Sequence, residues 1–191
     1  TVKNLFVPEG LTLDRDTPAE CQVDTTLFRF PTTNVYAAVC SSVALGIAQS
    51  AFDHLKALGM KKHARAAQTS MRGSPVFQAK LAELRAQLES ARAYKHAIIS
   101  EIWETVDNTG ELTMDDRARI RLATTYAINE ATSAVEQIYR LAGSTAIFDN
   151  EPFERRFRDI HALSQQVQGR HSNFETVGRY MLGFGADTIF M

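Results

Sequence analysis

Little in this 191-residue sequence is extreme, and its absences narrow the possibilities first. It has only two cysteines, Cys21 and Cys40, without metal-ligand spacing. That excludes a disulfide-dense scaffold and a zinc ribbon, and points to free thiols in a reducing, cytoplasmic setting. Charge of one sign is also lacking. A formal net charge of −1, with acids and bases interspersed, leaves no electrostatic footprint for nucleic acid or an anionic membrane. No uninterrupted apolar run approaches the roughly 18–20 residues that span a bilayer. The opening Thr1-Val-Lys-Asn-Leu-Phe-Val has neither the charged start nor the apolar stretch of a signal peptide, and no initiator Met, so a fragment or a processed product is expected. G-x-G-x-x-G, the P-loop, G-x-S-x-G and H-E-x-x-H are all missing. So is the Glu-x-x-His pair of metal-binding bundles: no His follows Glu130 or Glu136 at that spacing. No metal site is expected.

What is present is helical periodicity. Val2 to Val7 reads as a short strand stopped by Pro8-Glu9-Gly10, and the polar stretch Asp14 to Glu20 as a linker or surface loop. From Pro31 the pattern changes. Val35, Val39, Val43, Ile47, Ala51, Leu55 and Leu58 recur at steps of four and three, ending at Gly59, which predicts a helix over 31–58. Ser74-Pro75 supplies a capping hydroxyl followed by proline at the first helical position. Phe77, Leu81, Leu84, Leu88, Ala91, Ile98 and Ile102 continue the stripe to Trp103, predicting a second helix over 75–107 that ends at Asn108-Thr109-Gly110. Thr113 with Asp116 resembles a capping box. A third stripe runs through Ile120, Ala123, Ala127, Ala131, Ala134, Ile138 and Leu141 to Gly143, a helix over 114–142. A shorter helix is predicted over 153–168 from Phe153, Phe157, Ile160, Ser164 and Val167, and Phe174 to Phe184 is a further helical candidate. Amphipathic helices joined by short loops predict an all-α, up-down four-helix bundle over 31–191. Residues 1–30 are expected to be the remnant of a preceding β domain and its linker. Small residues at Ala37-Ala38, Ala44, Ala48 and Ala123 to Ala134 suggest apolar surface on more than one face, hence self-association.

Polar chemistry concentrates in Arg155-Arg156-Phe-Arg158-Asp159-Ile-His161-Ala-Leu-Ser164-Gln165-Gln166. His54, His63, His96 and His171 sit beside Lys, Arg or other polar neighbours, the pattern of a solvated histidine. At about 100° per residue, Arg158, His161, Gln165 and Gln168 fall on one flank of the apolar stripe, and Arg155, Asp159 and Gln166 on the other. Such a helix suits the wall of a site. It equally suits a bundle helix with hydrogen-bonded edges.

Several segments together resemble the C-terminal helical domain of the acyl-CoA dehydrogenase fold superfamily: Phe6-Val7-Pro8-Glu9, then Ser74-Pro75-Val-Phe-Gln78, then Tyr139-Arg140-Leu-Ala142-Gly143-Ser144, then Pro152 with Arg156-Phe-Arg158-Asp159-Ile-His161. The resemblance implies an oxidoreductase that binds FAD or FMN and assembles as a homotetramer. Two departures are informative. Counted from Arg158-Asp159, the position where many dehydrogenases carry the glutamate that abstracts the substrate α-proton holds Val167, which cannot act as a base. Aligned on Gly73-x-Pro75, the family's Arg-x-x-Phe signature becomes Thr69 and Arg72. The chain looks closer to the flavin-dependent monooxygenases of this fold, such as the dibenzothiophene, hydroxyphenylacetate and hydroxy-secosteroid oxygenases. These take reduced flavin from a partner flavin reductase and hydroxylate a small aromatic or sulfur-containing molecule. Their site histidine falls near Gln166. The resemblance therefore implies catalytic roles for His161 and Gln166, and cofactor contacts for Arg140, Ala142, Gly143 and Arg158. A glycine helix cap with a nearby cation accounts for the Arg140–Gly143 pattern without any ligand. An ion pair with Glu154 or Asp159 does the same for Arg158. A dehydrogenase domain, a helical interaction module and a non-catalytic tetrameric relative remain open alternatives, and no catalysis is expected of this chain by itself.

Overall fold

A computed structural model describes residues 2–12, 21–63 and 70–185. The expected Asp14–Glu20 linker and Thr69 lie outside the described residues. Among the described residues five α-helices follow one another: α1 (Thr32–Lys61), α2 (Pro75–Thr109), α3 (Met114–Ala142), α4 (Phe153–Ser164) and α5 (Ser172–Met181).

The helix ends have local causes. At the start of α2, the Ser74 hydroxyl accepts from the Phe77 N–H while Pro75 occupies a position that needs no intrahelical donor. Its last turn closes on Gly110, whose φ of 76° places it in the left-handed region. Thr113 and Asp116 form a reciprocal capping box at the head of α3: Thr113 Oγ1 accepts from the Asp116 N–H at 3.1 Å, and Asp116 Oδ2 accepts from the Thr113 N–H at 3.0 Å.

Cross-links fix the helix directions. Lys95 meets Ser42 and Arg92 meets Gln49, so α1 and α2 are antiparallel. Arg119 meets Glu101 and Gln87 meets Glu130, so α2 and α3 are antiparallel as well. Lys62, just past α1, reaches the carbonyl of Ala142 at the end of α3, so α1 and α3 run the same way. The helix α3 touches all four others, and α4 packs in the corner of α1 and α3. This is the expected bundle, with α5 added on α3.

The phase of the first half of α1 differs from the sequence reading, while Ala51 and Leu55 are buried as expected. Its buried face is Ala37, Ser41, Ala44, Leu45, Ala48, Ala51, Phe52 and Leu55. Val39 and Val43 are 54% and 48% exposed. The cause lies across the interface. Ala123, Ala127, Ala131 and Ala134 of α3 are fully buried, and two alanine faces allow backbones to approach closely where valines would hold them apart. Apart from Ala38, which is half-buried, the alanines expected to mark a self-association surface therefore belong to the bundle core. Exposed apolar side chains near the head of α1 include Leu27, Phe28, Tyr36, Val39, Val43 and Trp103. By length and composition α1 is apolar enough to cross a membrane, and 39% of its most apolar window is buried within the bundle.

Two further expectations change. Residues Val2–Val7 form no strand, and the one feature near them is a 3-10 turn at Glu9–Leu11. A lone strand leaves its backbone donors and acceptors unpaired, and no neighbouring strand exists among the described residues to pair them. The helix expected over 153–168 stops at Ser164, and Val167–Gly169 is a separate 3-10 turn. Gln166 causes the break by capping that turn itself: its side-chain Oε1 accepts from the Gln168 N–H at 2.9 Å.

Candidate functional site

The residues singled out from the sequence fall into three places. His161 sits in α4 against α3, in an aromatic column. Its ring centroid is 4.3 Å from that of Phe157, and Phe157 is 4.7 Å from Tyr139. Its Nε2 lies 3.5 Å from Glu136 Oε1 and is shielded from solvent without a hydrogen bond. Arg158 is on the exposed edge of the same helix, where Nε pairs with Glu154 Oε1 at 2.6 Å. The other four histidines are exposed.

Gln166 and Val167 belong to the turn that follows. Gln166 is exposed and Val167 half-buried. This turn is held from several sides. Asn173 Nδ2 donates to the carbonyls of Val167 and Gln168 at 3.0 and 3.1 Å, Thr125 Oγ1 donates to the Gln168 carbonyl, and Asn129 Nδ2 donates to that of Gly169. Arg121, fully buried in α3, donates from Nη1 to the Gln168 side chain. Its Nε has no partner, and no carboxylate pairs with it among the described residues. Burial, and to a lesser degree the Arg117 charge, lowers the Arg121 pKa to about 10. A Cβ added at Gly169 would stand 2.9 Å from the Ser164 carbonyl and 3.0 Å from Ile128 Cγ2. We expect Gly169→Ala to lower unfolding stability by about 1–3 kcal/mol in urea titrations, because backbone is slow to yield to overpacking. A stability unchanged within error would mean that this turn is looser than its hydrogen bonds suggest.

Arg140, Ala142 and Gly143 lie at the far end of α3. Gly143 has φ 61°, Lys62 Nζ donates to the Ala142 carbonyl at 2.7 Å, and a Cβ on Gly143 would meet that Nζ at 3.8 Å. Arg140 is exposed, with no side-chain hydrogen bond or ion pair among the described residues. No hydrogen bond or ion pair joins this end to His161, Arg158 or Gln166.

A feature that sequence reasoning missed lies at the opposite end of α1. An apolar cavity of about 390 Å3 opens between α1 and α2, with Val35, Val39, Val43 and Trp103 among its walls. Phe30 stacks on Trp103, with centroids 5.7 Å apart and rings 8° from parallel. Two polar groups border it. Asn34 is 2% exposed with neither amide atom hydrogen-bonded, and Ser42 Oγ accepts from Lys95 Nζ at 2.6 Å. Lys95 is itself 2% exposed, and burial followed by Arg92 lowers its pKa. The signal was available. Lys95 stands at the step between Ala91 and Ile98 where the α2 stripe skips a turn.

Residues 38–169 match the family model described as acyl-CoA dehydrogenase, C-terminal domain. The chain belongs to this family. As an acyl-CoA dehydrogenase C-terminal domain, it is 27% identical over 182 residues to the indole-3-acetate monooxygenase of Pseudomonas putida, covering 95% of this chain and 46% of that protein. It is 25% identical over 167 residues to a pigment production hydroxylase of Rhodococcus erythropolis, covering 84% and 42%. The domain therefore spans about half the length of the curated relatives it matches. Among solved structures, XiaF from Streptomyces sp., in complex with FADH2 and glycerol, superposes with a TM-score of 0.81 at 19% identity, covering 98% of this chain and 49% of that one. The 3-HSA hydroxylase from Rhodococcus sp. RHA1 gives 0.79 at 19%, covering 89% and 44%. At such identities these likenesses establish the fold. Of the relatives named here one is a monooxygenase and two are hydroxylases, and XiaF is seen with FADH2 bound.

Proposed function

We propose that this bundle is the C-terminal part of the oxygenase subunit of a two-component flavin-dependent monooxygenase, which takes reduced FAD or FMN from a separate reductase and hydroxylates a small aromatic or sulfur-containing molecule. The observation that carries the reading is Val167. Removing a substrate α-proton needs a group able to accept it within hydrogen-bond reach. In this chain the position that aligns with the dehydrogenase base is an aliphatic side chain in a turn fixed by Asn173, Thr125 and Arg121. Monooxygenation asks for no such base here. The relatives, a monooxygenase and a protein that binds FADH2 among them, support the same reading, and a preceding β domain would supply the rest of the pocket.

The end of α3 fits a phosphate-bearing cofactor. Lys62 offsets the negative end of the helix dipole, Gly143 presents backbone without a Cβ, and among the described residues no hydrogen bond or ion pair occupies the Arg140 fork. Arg158 fits less well, since Glu154 already holds it. When bound, a reduced flavin supplies the electrons with which oxygen is activated. This chain's own contribution is to exclude water and orient groups. The Tyr139–Phe157–His161 column is apolar on two of its three members, and Gln166 offers a neutral amide that can donate or accept but does not exchange a proton near neutral pH.

The direct test supplies the intact protein with chemically reduced flavin, oxygen and candidate phenols or thioethers, without any reductase. Hydroxylated product is expected. Acceptor reduction driven by acyl-CoA thioesters, without oxygenated product, would overturn the proposal. Assembly is the companion expectation. The intact protein should sediment as a homo-oligomer, a tetramer by family resemblance. A monomer at high concentration would contradict it.

A further inference from the structure

The cavity between α1 and α2 carries chemistry that packing alone does not explain. Its walls are almost wholly apolar and none of its lining residues is acidic. At one end the carboxamide of Asn34 is buried with both polar atoms unpartnered, a state that natural cores rarely tolerate unless something else completes it. At the other end Ser42 connects to Lys95, an ammonium with three donors whose one hydrogen-bond partner among the described residues is that hydroxyl. No carboxylate of the described chain neutralises it. Asn34, Ala38 and Ser42 follow one stripe of α1, and eight residues at 1.5 Å separate its two polar ends by about 12 Å.

We propose that this cavity binds a small aromatic acid, its ring against Trp103 and the α1 valines, its carboxylate at the Ser42–Lys95 end, and a hydroxyl or ring N–H at Asn34. The assignment rests on the preceding reading in taking this ligand as the substrate, but its binding chemistry is independent of any flavin. Charge complementarity selects the acid: a carboxylate gives Lys95 its counter-ion, and the Ser42 hydroxyl, now donating to the Ala38 carbonyl at 2.7 Å, can turn to it. Size agrees, since a cavity of about 390 Å3 lies within the usual range for small-molecule sites.

Trp103 is the sole tryptophan and lines the cavity, so excitation at its red edge reports occupancy directly. The 191-residue chain is titrated with 3-(4-hydroxyphenyl)propanoate, with its amide, and with 3-phenylpropanoate. The acid should give a saturable change in Trp103 emission, with the amide and the deoxy compound each binding about tenfold more weakly, as expected for loss of one charge-assisted or one buried hydrogen bond. Lys95→Met should erase the preference for acid over amide, and Lys95→Arg should keep it. Asn34→Leu should erase only the preference for the hydroxyl. Circular dichroism of each variant identifies any that fails to fold, and the wild-type acid-to-amide ratio decides the matter without variants. Equal binding of acid and amide, or no saturable change, overturns the assignment. So does an emission shift that depends on protein concentration alone, which would mean that a second copy covers this face. A failed titration alongside product formation by the intact protein removes this ligand while leaving the monooxygenase reading. Binding without oxygenation does the reverse.

Discussion

Arg121→Ala is expected to lower the unfolding free energy by about 2–4 kcal/mol, through the cavity it leaves and the Gln168 acceptor it strands. The double variant Arg121→Met with Gln168→Leu should be at least as stable as the parent sequence, because an apolar pair of similar volume avoids desolvating a guanidinium that no carboxylate neutralises. Proton linkage gives this an independent check. The Arg121 pKa falls to about 10 in the folded chain, well below the ordinary guanidinium range, so the unfolded chain binds more protons from about pH 10 upward. Stability of the parent sequence due to this group therefore rises with pH in that window. The double variant's advantage should be constant below about pH 9 and shrink as pH passes 10. Denaturant titrations of both proteins across that range measure it, and a difference independent of pH would show that Arg121 carries no desolvation penalty.

The second large effect concerns the turn after α4. In the intact protein, His161→Ala and Gln166→Ala are expected to raise several-fold the fraction of reduced flavin that is consumed as hydrogen peroxide instead of hydroxylated product. Each removes a polar group or an aromatic wall from the site that is proposed to keep water out. Val167→Glu should change that fraction little and should not create acyl-CoA dehydrogenation, because a base is useful only when its reach and surroundings suit it. Coupling is measured as product formed per flavin oxidised. Unchanged coupling in both alanine variants would remove His161 and Gln166 from the site.

Legibility of the fold followed the strength of local signals. Ser74-Pro75, the Thr113/Asp116 box and Gly110 are local devices, so the starts of α2 and α3 and the end of α2 fall at or within two residues of the expected positions. The phase of the first half of α1 was misread because valine outscores alanine in any hydrophobic stripe, whereas the partner helix chose the smaller residues. That is a tertiary decision. The end of α4 was overrun because period alone does not show a glutamine side chain competing for the backbone N–H of Gln168. Of the site, the polar helix and the Val167 departure were visible in the sequence. Asn34 and Arg121 were not, and Lys95 showed only as a skipped turn in the α2 stripe, because a polar residue inside an apolar stripe is ordinarily assigned to the surface and only the packed structure shows each of them enclosed.

The most direct measurement for the central claim follows the oxygen atom. The intact protein, given reduced flavin and an aromatic substrate under 18O2 in ordinary water, should place one 18O atom in the organic product, as mass spectrometry would show by a shift of about two mass units for the heavier isotope. The oxygenase account predicts that incorporation with no reductase present. An unlabelled product, or none alongside rapid acceptor reduction by an acyl-CoA thioester, would contradict it.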